Sequence, residues 1–498
     1  MLTQRDSIVL AARGRATSVK VVSVAARVRR QSAALGAHVA ARRVRLATWL
    51  TISGFALAAF SAMLYQSRGP FIDEGIYITA GIRTLQGYAT NDNYLSWISG
   101  SLLWPVAAAL AYRVGGLIGA RVLALLCVTT AIAASVDAAR LMYGRRVALG
   151  SAIALSVCGP TLALAQLAVY DQFALAGIGI AFWAIARLAA SDDRRWIVVA
   201  GLAFSVGVIS KYPMALCGLP LGLLLLGLRG RRARLDLILF GFVMCVPWLI
   251  FLMPYRSELA TFLAGRLAHN PEFGYSERMI VASMLMFAGP PVALTIVGAA
   301  LSGGRWLAAA AQVVGVILWP AYHILTANYV SSTKHVVFGF VLAGPLMGVT
   351  LMRLWNWSSG RALRLATQLG TAALVVMLAV LAVGQFSFLS QPISTDSEMY
   401  LVQQVQPGEQ LLIGNGWPYR LDLYTAGRIN SPWDVVDADS LAYPGHSQDV
   451  CEYDWYVNEQ YGYAWPAAVQ RQVAACGVYV EVYSSTSYAT GLGQNLRL

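Results

Sequence analysis

The stretch Gly69–Tyr88, GPFIDEGIYITAGIRTLQGY, follows the first long apolar run of the chain and carries two adjacent carboxylates, Asp73 and Glu74. The apolar run before it, residues 47–66, has no small-residue cleavage site of the signal-peptide kind. We therefore interpret that run as a membrane anchor that is retained in the protein. It follows that the two carboxylates stand where the chain has just crossed the membrane for the first time.

The composition is that of a membrane protein with many spans. The chain has 498 residues, of which 57% are hydrophobic and 12% are charged, and its mean hydropathy is +0.58. These values exclude an ordinary soluble globular protein. The net charge is +13, but the basic residues concentrate in the N-terminal tail and in short loops between apolar runs, where they act as topology signals. We predict no nucleic-acid partner.

A membrane-spanning helix needs about 20 apolar residues. Another apolar segment, 94–112, would move every later arginine cluster to the outer side if it spanned, against the positive-inside rule. We therefore expect 94–112 to form surface helices in the first outer loop, with Trp97 and Trp104 at headgroup depth. The eleven predicted spans are residues 47–66, 120–139, 147–169, 172–190, 196–213, 214–228, 236–254, 279–301, 306–326, 335–352 and 365–388.

Because the number of predicted spans is odd, the N-terminal and C-terminal parts of the chain lie on opposite sides of the membrane. We expect a basic cytoplasmic tail (1–46), a transmembrane domain (47–388) and an extracytoplasmic soluble domain (389–498). In the last part, alternating runs such as GEQLLIG and GVYVEVY indicate strands, so we expect a small α/β domain on the outer face. Cys451 and Cys476 lie there. They form either a disulfide that closes a loop of about 25 residues or a pair of free thiols.

On this topology, ionisable residues from distant segments reach the outer boundary of the membrane. Each has an ordinary alternative: a lysine that extends to the interface, a first-turn acid of a helix, a solvated acidic pair or an interfacial histidine. Their joint placement favours a polar site. The residues are Asp73 and Glu74 after the first span, Asp171 before the fourth, Lys211 at the end of the fifth, and Lys334 and His335 at the start of the tenth.

A sugar carried on a polyprenyl phosphate would fit such a site, with its lipid tail in the bilayer and its phosphate at headgroup level. Sugar transfer needs a base for the acceptor hydroxyl and positive charge for the departing phosphate. A carboxylate at the outer end of the first span could be the base. The candidates for binding the phosphate are Lys211, Lys334, His335 and Arg83.

Six segments, taken in order, resemble the GT-C superfamily of lipid-phosphate-sugar-dependent glycosyltransferases. Within it, the resemblance is to dolichyl-phosphate-mannose protein mannosyltransferases and to the bacterial aminoarabinose transferase of lipid A. It covers residues 50–352. The segments are FIDEGIYITAGIRTLQGY, GLIGARVLALL, LMYGRRVALG, YDQFALAGIGI, VISKYPMALCGLPL and STKHVVFGFVLAGPLM.

The resemblance implies an all-α, polytopic, membrane-embedded enzyme of the GT-C type. It implies transfer from a polyprenyl-phosphate sugar to a hydroxyl of a lipid, glycan or protein acceptor outside the cytoplasm, with inversion at the anomeric carbon. By the same resemblance, Asp73 is the catalytic carboxylate, Glu74 supports it, Asp171 orients the acceptor or the base, and Lys211 binds the donor phosphate. Some members use a divalent metal at the acidic pair, which Asp73 and Glu74 could hold here.

One feature departs from the superfamily: many relatives carry Arg-Tyr where this chain has Lys334-His335. Two other function classes also stay open. A transporter or flippase of lipid-linked or small solutes would place ionisable residues at mid-membrane and would show repeated halves. A catalytically silent scaffold with a GT-C-like fold is the second. The expected partners of the enzyme are the lipid-linked donor, the acceptor and membrane lipids.

Overall fold

The computed structural model describes residues 38–64, 69–88, 94–96, 98–267, 277–326, 331–357, 360–389, 395–414, 416–437, 451, 453–459 and 480–482. In these residues the chain is mostly helical. The helices are α1 (His38–Leu64), α2 (Ile72–Leu85), α3 (Leu103–Tyr143), α4 (Arg145–Ser156), α5 (Gly159–Leu164), α6 (Tyr170–Ser191), α7 (Arg195–Ser210), α8 (Gly218–Arg229), α9 (Ala233–Leu252), α10 (Arg256–Leu267), α11 (Glu277–Leu301), α12 (Trp306–Leu325), α13 (Ser332–Trp355), α14 (Arg361–Leu389), α15 (Thr395–Gln404) and α16 (Trp417–Thr425).

Eight helical stretches in the described part of the chain are long and apolar enough to cross a membrane. Two of them, Leu103–Tyr143 and Tyr212–Phe251, have 41 and 40 residues. Neither is one straight helix: the first has a kink at Gly115 and Gly116, and the second contains α8 and α9 with the non-helical Gly230 between them. The number of helices that meet the length criterion is therefore smaller than the eleven spans predicted from hydropathy, and that count stays a prediction.

One predicted span, 147–169, is not a continuous helix. Helix α4 ends at Ser156, and a new helix, α5, begins at Gly159 with Pro160 in its first turn. Proline lacks the backbone N–H that would continue the hydrogen-bond ladder of α4, which explains why the helix ends there. These residues therefore form two short helices and not one continuous helix, and the crossing of the membrane here stays a prediction.

The segment 94–112 contains a short 3-10 helix, Tyr94–Ser96, and the first part of α3. Helix α3 begins at Leu103 and continues beyond residue 112 to a kink at Gly115 and Gly116. Trp104, expected at headgroup depth, is buried: its indole N–H donates to the Ala168 carbonyl at 3.3 Å, and its ring lies 6.0 Å from that of Phe173. Trp104 is thus covered by the protein, its depth in the membrane stays a prediction, and Trp97 lies outside the described residues.

Helix α13 is the centre of the helical bundle, with 94% of its most apolar window buried inside the protein. Glycines allow its neighbours to approach closely. A Cβ at Gly344 would lie 2.6 Å from the Ser135 hydroxyl of α3, and one at Gly348 would lie 2.6 Å from the Ser151 nitrogen of α4. Small residues at helix contacts are typical of membrane bundles. The middle of α13 is therefore packed closely against α3 and α4.

The described part of the C-terminal segment contains a four-stranded sheet. The strands are β1 (Leu411–Ile413), β2 (Val435–Asp437), β3 (Trp455–Glu459) and β4 (Val480–Val482), in the order β2-β1-β3-β4 with every pair parallel. Parallel neighbours need a crossover connection, and α16 provides the one between β1 and β2. Cys451 is disulfide-bonded. Its predicted partner, Cys476, lies outside the described residues, so the pairing stays a prediction.

Helix α16 joins the two cores of the protein. Tyr419 and Leu423 pack with the strands, whereas Leu421 belongs to the core of the helical bundle. On the bundle side α16 contacts α2 so closely that a Cβ at Gly75 would lie 2.8 Å from the carbonyl carbon of Trp417. The helix that carries Asp73 and Glu74 is therefore packed directly against the C-terminal unit.

Candidate active site

The two adjacent carboxylates of the opening stretch lie in the first turn of α2, where acidic side chains complement the helix dipole. The Phe71 backbone N–H donates to Glu74 Oε2 at 2.8 Å, which fixes the start of the helix. Successive residues of a helix point about 100° apart. Asp73 and Glu74 therefore enter different surroundings and have different partners.

Glu74 is fully buried and has a structural role. Arg121 of α3 contacts both carboxylate oxygens, with Nε 2.9 Å from Oε1 and Nη2 2.7 Å from Oε2. The Ala168 N–H donates to Oε1 at 2.6 Å, and Arg121 also donates to the Gly69 carbonyl at 2.9 Å. The carboxylate thus ties α2 to α3 and to the residues before α6. Both of its oxygens accept hydrogen bonds in this structure, which fixes the first turn of α2, where Asp73 also lies.

Asp73 forms an ion pair with Lys334, which comes from the first turn of α13. Both side chains keep some exposure, 21% for Asp73 and 14% for Lys334. The ammonium also lies 5.7 Å from the centre of the Phe71 ring. The structure therefore brings together the predicted base and one of the predicted phosphate-binding cations, and both side chains remain partly accessible to solvent.

A second ion pair joins Asp171, in the first turn of α6, to Lys211, where α7 ends. Here both side chains are only 1% exposed. Lys211 Nζ lies 4.4 Å from the centre of the Tyr170 ring. Asp171 Oδ2 is buried and makes no hydrogen bond within the described residues. The Lys211 ammonium is consequently neutralised inside the protein and does not reach the surface in this structure.

Two tyrosines connect the ion pairs. Tyr77 stands one helical turn after Asp73, and its ring centre lies 4.3 Å from that of Tyr170, whose hydroxyl is hydrogen-bonded to the Ser99 hydroxyl. Burial, followed by the nearby Tyr170, Asp73 and Asp171, raises the pKa of the Tyr77 phenol well above its usual value. Both carboxylates act on this one phenol. We name Asp73, Lys334, Asp171 and Lys211 the charged cluster.

The structure does not bring the other two predicted phosphate-binding residues to the charged cluster. His335 faces α12, where its Nδ1 lies 2.8 Å from His323 Nε2 and its ring 5.0 Å from that of Trp319. Arg83 is ten residues after Asp73 on α2, which corresponds to about 15 Å along the helix. Its guanidinium stacks on Tyr88, 4.1 Å from the ring centre.

Sequence reasoning missed several of these contacts. It did not assign a role to Arg121, although an arginine inside the apolar run GLIGARVLALL is itself a signal, because ionisable residues within membrane helices are costly and are usually paired. Tyr77 and Tyr170 carry no comparable signal, since aromatic residues are common in apolar runs. Within the residues that the structure describes, no group of three or more His, Cys, Asp or Glu side chains could hold a metal ion.

Comparisons with known proteins agree with this architecture. The family of dolichyl-phosphate-mannose-protein mannosyltransferases matches the chain over residues 102–251, a segment that contains Arg121, Asp171 and Lys211. Two solved structures of ArnT from Cupriavidus metallidurans share the fold. The one bound to undecaprenyl phosphate has 18% identity and a TM-score of 0.51, and covers 78% of this chain and 89% of its own. The apo structure has 18% identity and a TM-score of 0.53, with 79% and 90% covered.

No curated protein matches the chain. The resemblance to the GT-C superfamily that the sequence motifs indicated is nevertheless confirmed by the mannosyltransferase match and the ArnT fold. The identity of 18% means that the ArnT structures establish the fold alone.

Proposed function

We propose that this chain, with its GT-C fold, transfers a sugar from a polyprenyl-phosphate donor to a hydroxyl group of a lipid, glycan or protein acceptor outside the cytoplasm. The observation that carries the proposal is the partly exposed Asp73–Lys334 pair. It stands in a fold shared with ArnT, which has been solved with undecaprenyl phosphate bound. A base and a cation are thus present together, as transfer from a sugar phosphate requires.

Asp73 is the proposed general base. Of the acidic residues around the site it is the one with exposure, at 21%, whereas Glu74 and Asp171 are buried and engaged with Arg121 and Lys211. The two buried pairs support the base in different ways. The Glu74–Arg121 pair fixes the first turn of α2, and Asp171 orients the acceptor or the base through its negative charge next to Tyr77.

The reaction that we propose is a single displacement. The acceptor hydroxyl oxygen forms a bond to the anomeric carbon while its proton passes to the Asp73 carboxylate. The bond between the anomeric carbon and the phosphate oxygen breaks on the opposite face, and the polyprenyl phosphate leaves with the bonding electrons. Attack opposite to the leaving group inverts the anomeric configuration. The phosphate is a stable anion, so the step needs no general acid.

Lys334 is the proposed cation for the departing phosphate. Without a donor, its ammonium is paired with Asp73. A phosphate placed beside it would share the ammonium and leave the carboxylate freer to accept a proton. Lys211 is paired with Asp171 and buried, so the predicted contact of its ammonium with the donor phosphate would require this ion pair to open. His335 and Arg83 lie apart from this contact.

The proposed topology places the lipid-linked donor and the aqueous acceptor at one boundary. Residues 1–46 form the cytoplasmic tail, residues 47–388 the transmembrane domain, and residues 389–498 the extracytoplasmic domain. The basic loops that follow α6 and α8 are then cytoplasmic, and the charged cluster is extracytoplasmic. Donor tails would lie in the bilayer with the phosphate at headgroup depth, beside α2 and α13.

The experiment that tests this function is an assay of donor consumption. Full-length protein in lipid nanodiscs is incubated with each of a panel of polyprenyl-phosphate sugars and an envelope extract as acceptor, and the release of free polyprenyl phosphate is measured. We expect one donor to be consumed by the wild type and by Asp193→Asn, a control at an exposed loop carboxylate, but hardly by Asp73→Asn. Consumption at the same rate by all three proteins, or by none while the donor remains unbound, would refute the proposal.

A further inference from the structure

A cavity of about 690 Å³ lies between α1, α3, α4 and α6. It is at the opposite end of these helices from the charged cluster. Along α6, Asp171 of the charged cluster and Arg187 of the cavity are sixteen residues apart, which corresponds to about 24 Å. The proposed transfer reaction makes no use of this cavity.

The charge of the cavity wall is strongly positive. Four arginines and one carboxylate line it: Arg45, Arg140, Arg145, Arg187 and Asp137. Asp137 accepts hydrogen bonds from Arg140 at 2.5 and 3.2 Å and lies 3.6 Å from Arg187 Nη2. Neither Arg45 nor Arg145 has a carboxylate partner among the described residues. The wall therefore carries a net charge of about +3, and two of its guanidinium groups are not neutralised by any carboxylate of the described residues.

Apart from two threonines, Thr48 and Thr130, the rest of the wall is apolar and aromatic. Ile52 and Ile180 extend the cavity toward the middle of the helices, away from the arginines. Trp49 and Trp183 lie on its lining, and the Trp183 indole N–H donates to Asp137 at 2.9 Å. Tryptophan is enriched at the depth of lipid headgroups. The cavity thus has cations at one end, an apolar wall at the other, and aromatic rings at the level between them.

From this arrangement we propose that the cavity binds an anionic phospholipid. The arginines contact the phosphate of the headgroup, and an acyl chain lies along the wall that Ile52 and Ile180 form. Basic pockets between membrane helices bind lipid headgroups in this way. A soluble phosphate would satisfy the arginines alone and would leave the apolar wall unused. The inference is independent of the proposed transfer reaction.

The test is a lipid titration of delipidated full-length protein, followed by native mass spectrometry. Phosphatidylglycerol is compared with phosphatidylcholine of the same chain length, and with glycerol phosphate, which has the phosphate and no acyl chains. The variants are Arg45→Gln and Arg145→Gln, which remove no ion pair that the described part of the chain contains. Arg361→Gln is the matched control, because Arg361 is an exposed basic residue at the start of α14, outside the cavity.

We expect phosphatidylglycerol to bind at one saturable site, with each cavity variant reducing its affinity about fivefold and Arg361→Gln leaving it unchanged. Phosphatidylcholine should bind more weakly. Three results would overturn the proposal: equal binding of both lipids, equal loss of binding in Arg361→Gln, or competition by glycerol phosphate as strong as that by the lipid. The last result would identify a site for a soluble phosphate.

Discussion

Asp73 and Glu74 are neighbours in one helical turn, but they differ in burial and in hydrogen bonding. Glu74 is fully buried and accepts hydrogen bonds from Arg121, Ala168 and Phe71, whereas Asp73 is partly exposed and has a lysine as its ion-pair partner. A buried carboxylate with all its acceptors used is a structural anchor. A partly exposed one beside a cation can exchange protons with a ligand. The acidic pair is therefore one anchor and one candidate base.

We predict that Arg121→Met destabilises the protein by about 3–5 kcal/mol, because it leaves the Glu74 carboxylate buried without its counterion. The measurement is thermal unfolding in detergent, in which the fraction of protein that stays monodisperse is recorded at each temperature. Arg195→Met is the matched control, since the Arg195–Asp193 pair is exposed and should contribute nothing measurable. Equal unfolding temperatures for Arg121→Met and the wild type would contradict the role of Glu74 as an anchor.

At Lys334 we predict that Lys334→Met lowers the rate of donor consumption by about a hundredfold, the size of effect found when one donor to a developing negative charge is removed. Lys334→Arg should retain most of the activity because it keeps the positive charge. The readout is the rate at saturating donor, with a folded protein confirmed by size exclusion. An active Lys334→Met, or an inactive Lys334→Arg, would contradict the proposed charge role.

At the scale of elements, the contact between α2 and α16 stands out. Gly75 on α2 faces the backbone of Trp417, and the Tyr424 hydroxyl donates to Gln86 Oε1 at 2.6 Å further along the same helix. Trp417 and Trp433 pack against the core of the bundle. The C-terminal unit is thus docked on the helix of the candidate base by close backbone contact and by hydrogen bonding.

We predict that Gly75→Ala separates α16 from α2, because the new Cβ would overlap the Trp417 carbonyl group. This group belongs to the backbone and cannot rotate away as a side chain would. The expected cost is about 1–3 kcal/mol in unfolding free energy, together with faster proteolysis of the C-terminal unit. Gly54→Ala in α1 is the control, since no atom lies within 4 Å of its Cβ position. If both variants resist protease equally, the close contact does not hold the C-terminal unit in place.

At the scale of the whole molecule, the proposed topology puts the charged cluster and the C-terminal unit on one side and the arginine-lined cavity on the other. We predict that a cysteine replacing Gln403, between α14 and β1, reacts with a membrane-impermeant maleimide on intact cells. A cysteine replacing Asp193, between α6 and α7, should react only after permeabilisation. Both are measured in a background without Cys127, Cys158, Cys217 and Cys245, the free cysteines of the described residues. Labelling of Asp193→Cys on intact cells would reverse the topology.

Part of this arrangement could be predicted from the sequence. Hydropathy located the helical regions, and the charge bias placed Asp73 and Lys334 on one side, although they are 261 residues apart. Hydropathy could not show that α6 and the residues before it bury Trp104, because this burial depends on neighbours in space. Nor could the sequence show which partner each charge takes, since Glu74 and Asp73 look alike in the sequence and differ only through Arg121 and Lys334.

The measurement that tests the role of Asp73 most directly is a single-turnover comparison of wild type and Asp73→Asn. The rate of polyprenyl phosphate release and the dissociation constant of the donor are measured with the same preparations in nanodiscs. We predict that the substitution lowers the rate by about a hundredfold or more, while donor affinity changes by no more than a few fold, because asparagine keeps the shape of the side chain but accepts no proton. An unchanged rate would contradict the assignment of Asp73 as the base, and so would a loss that comes entirely from weaker donor binding.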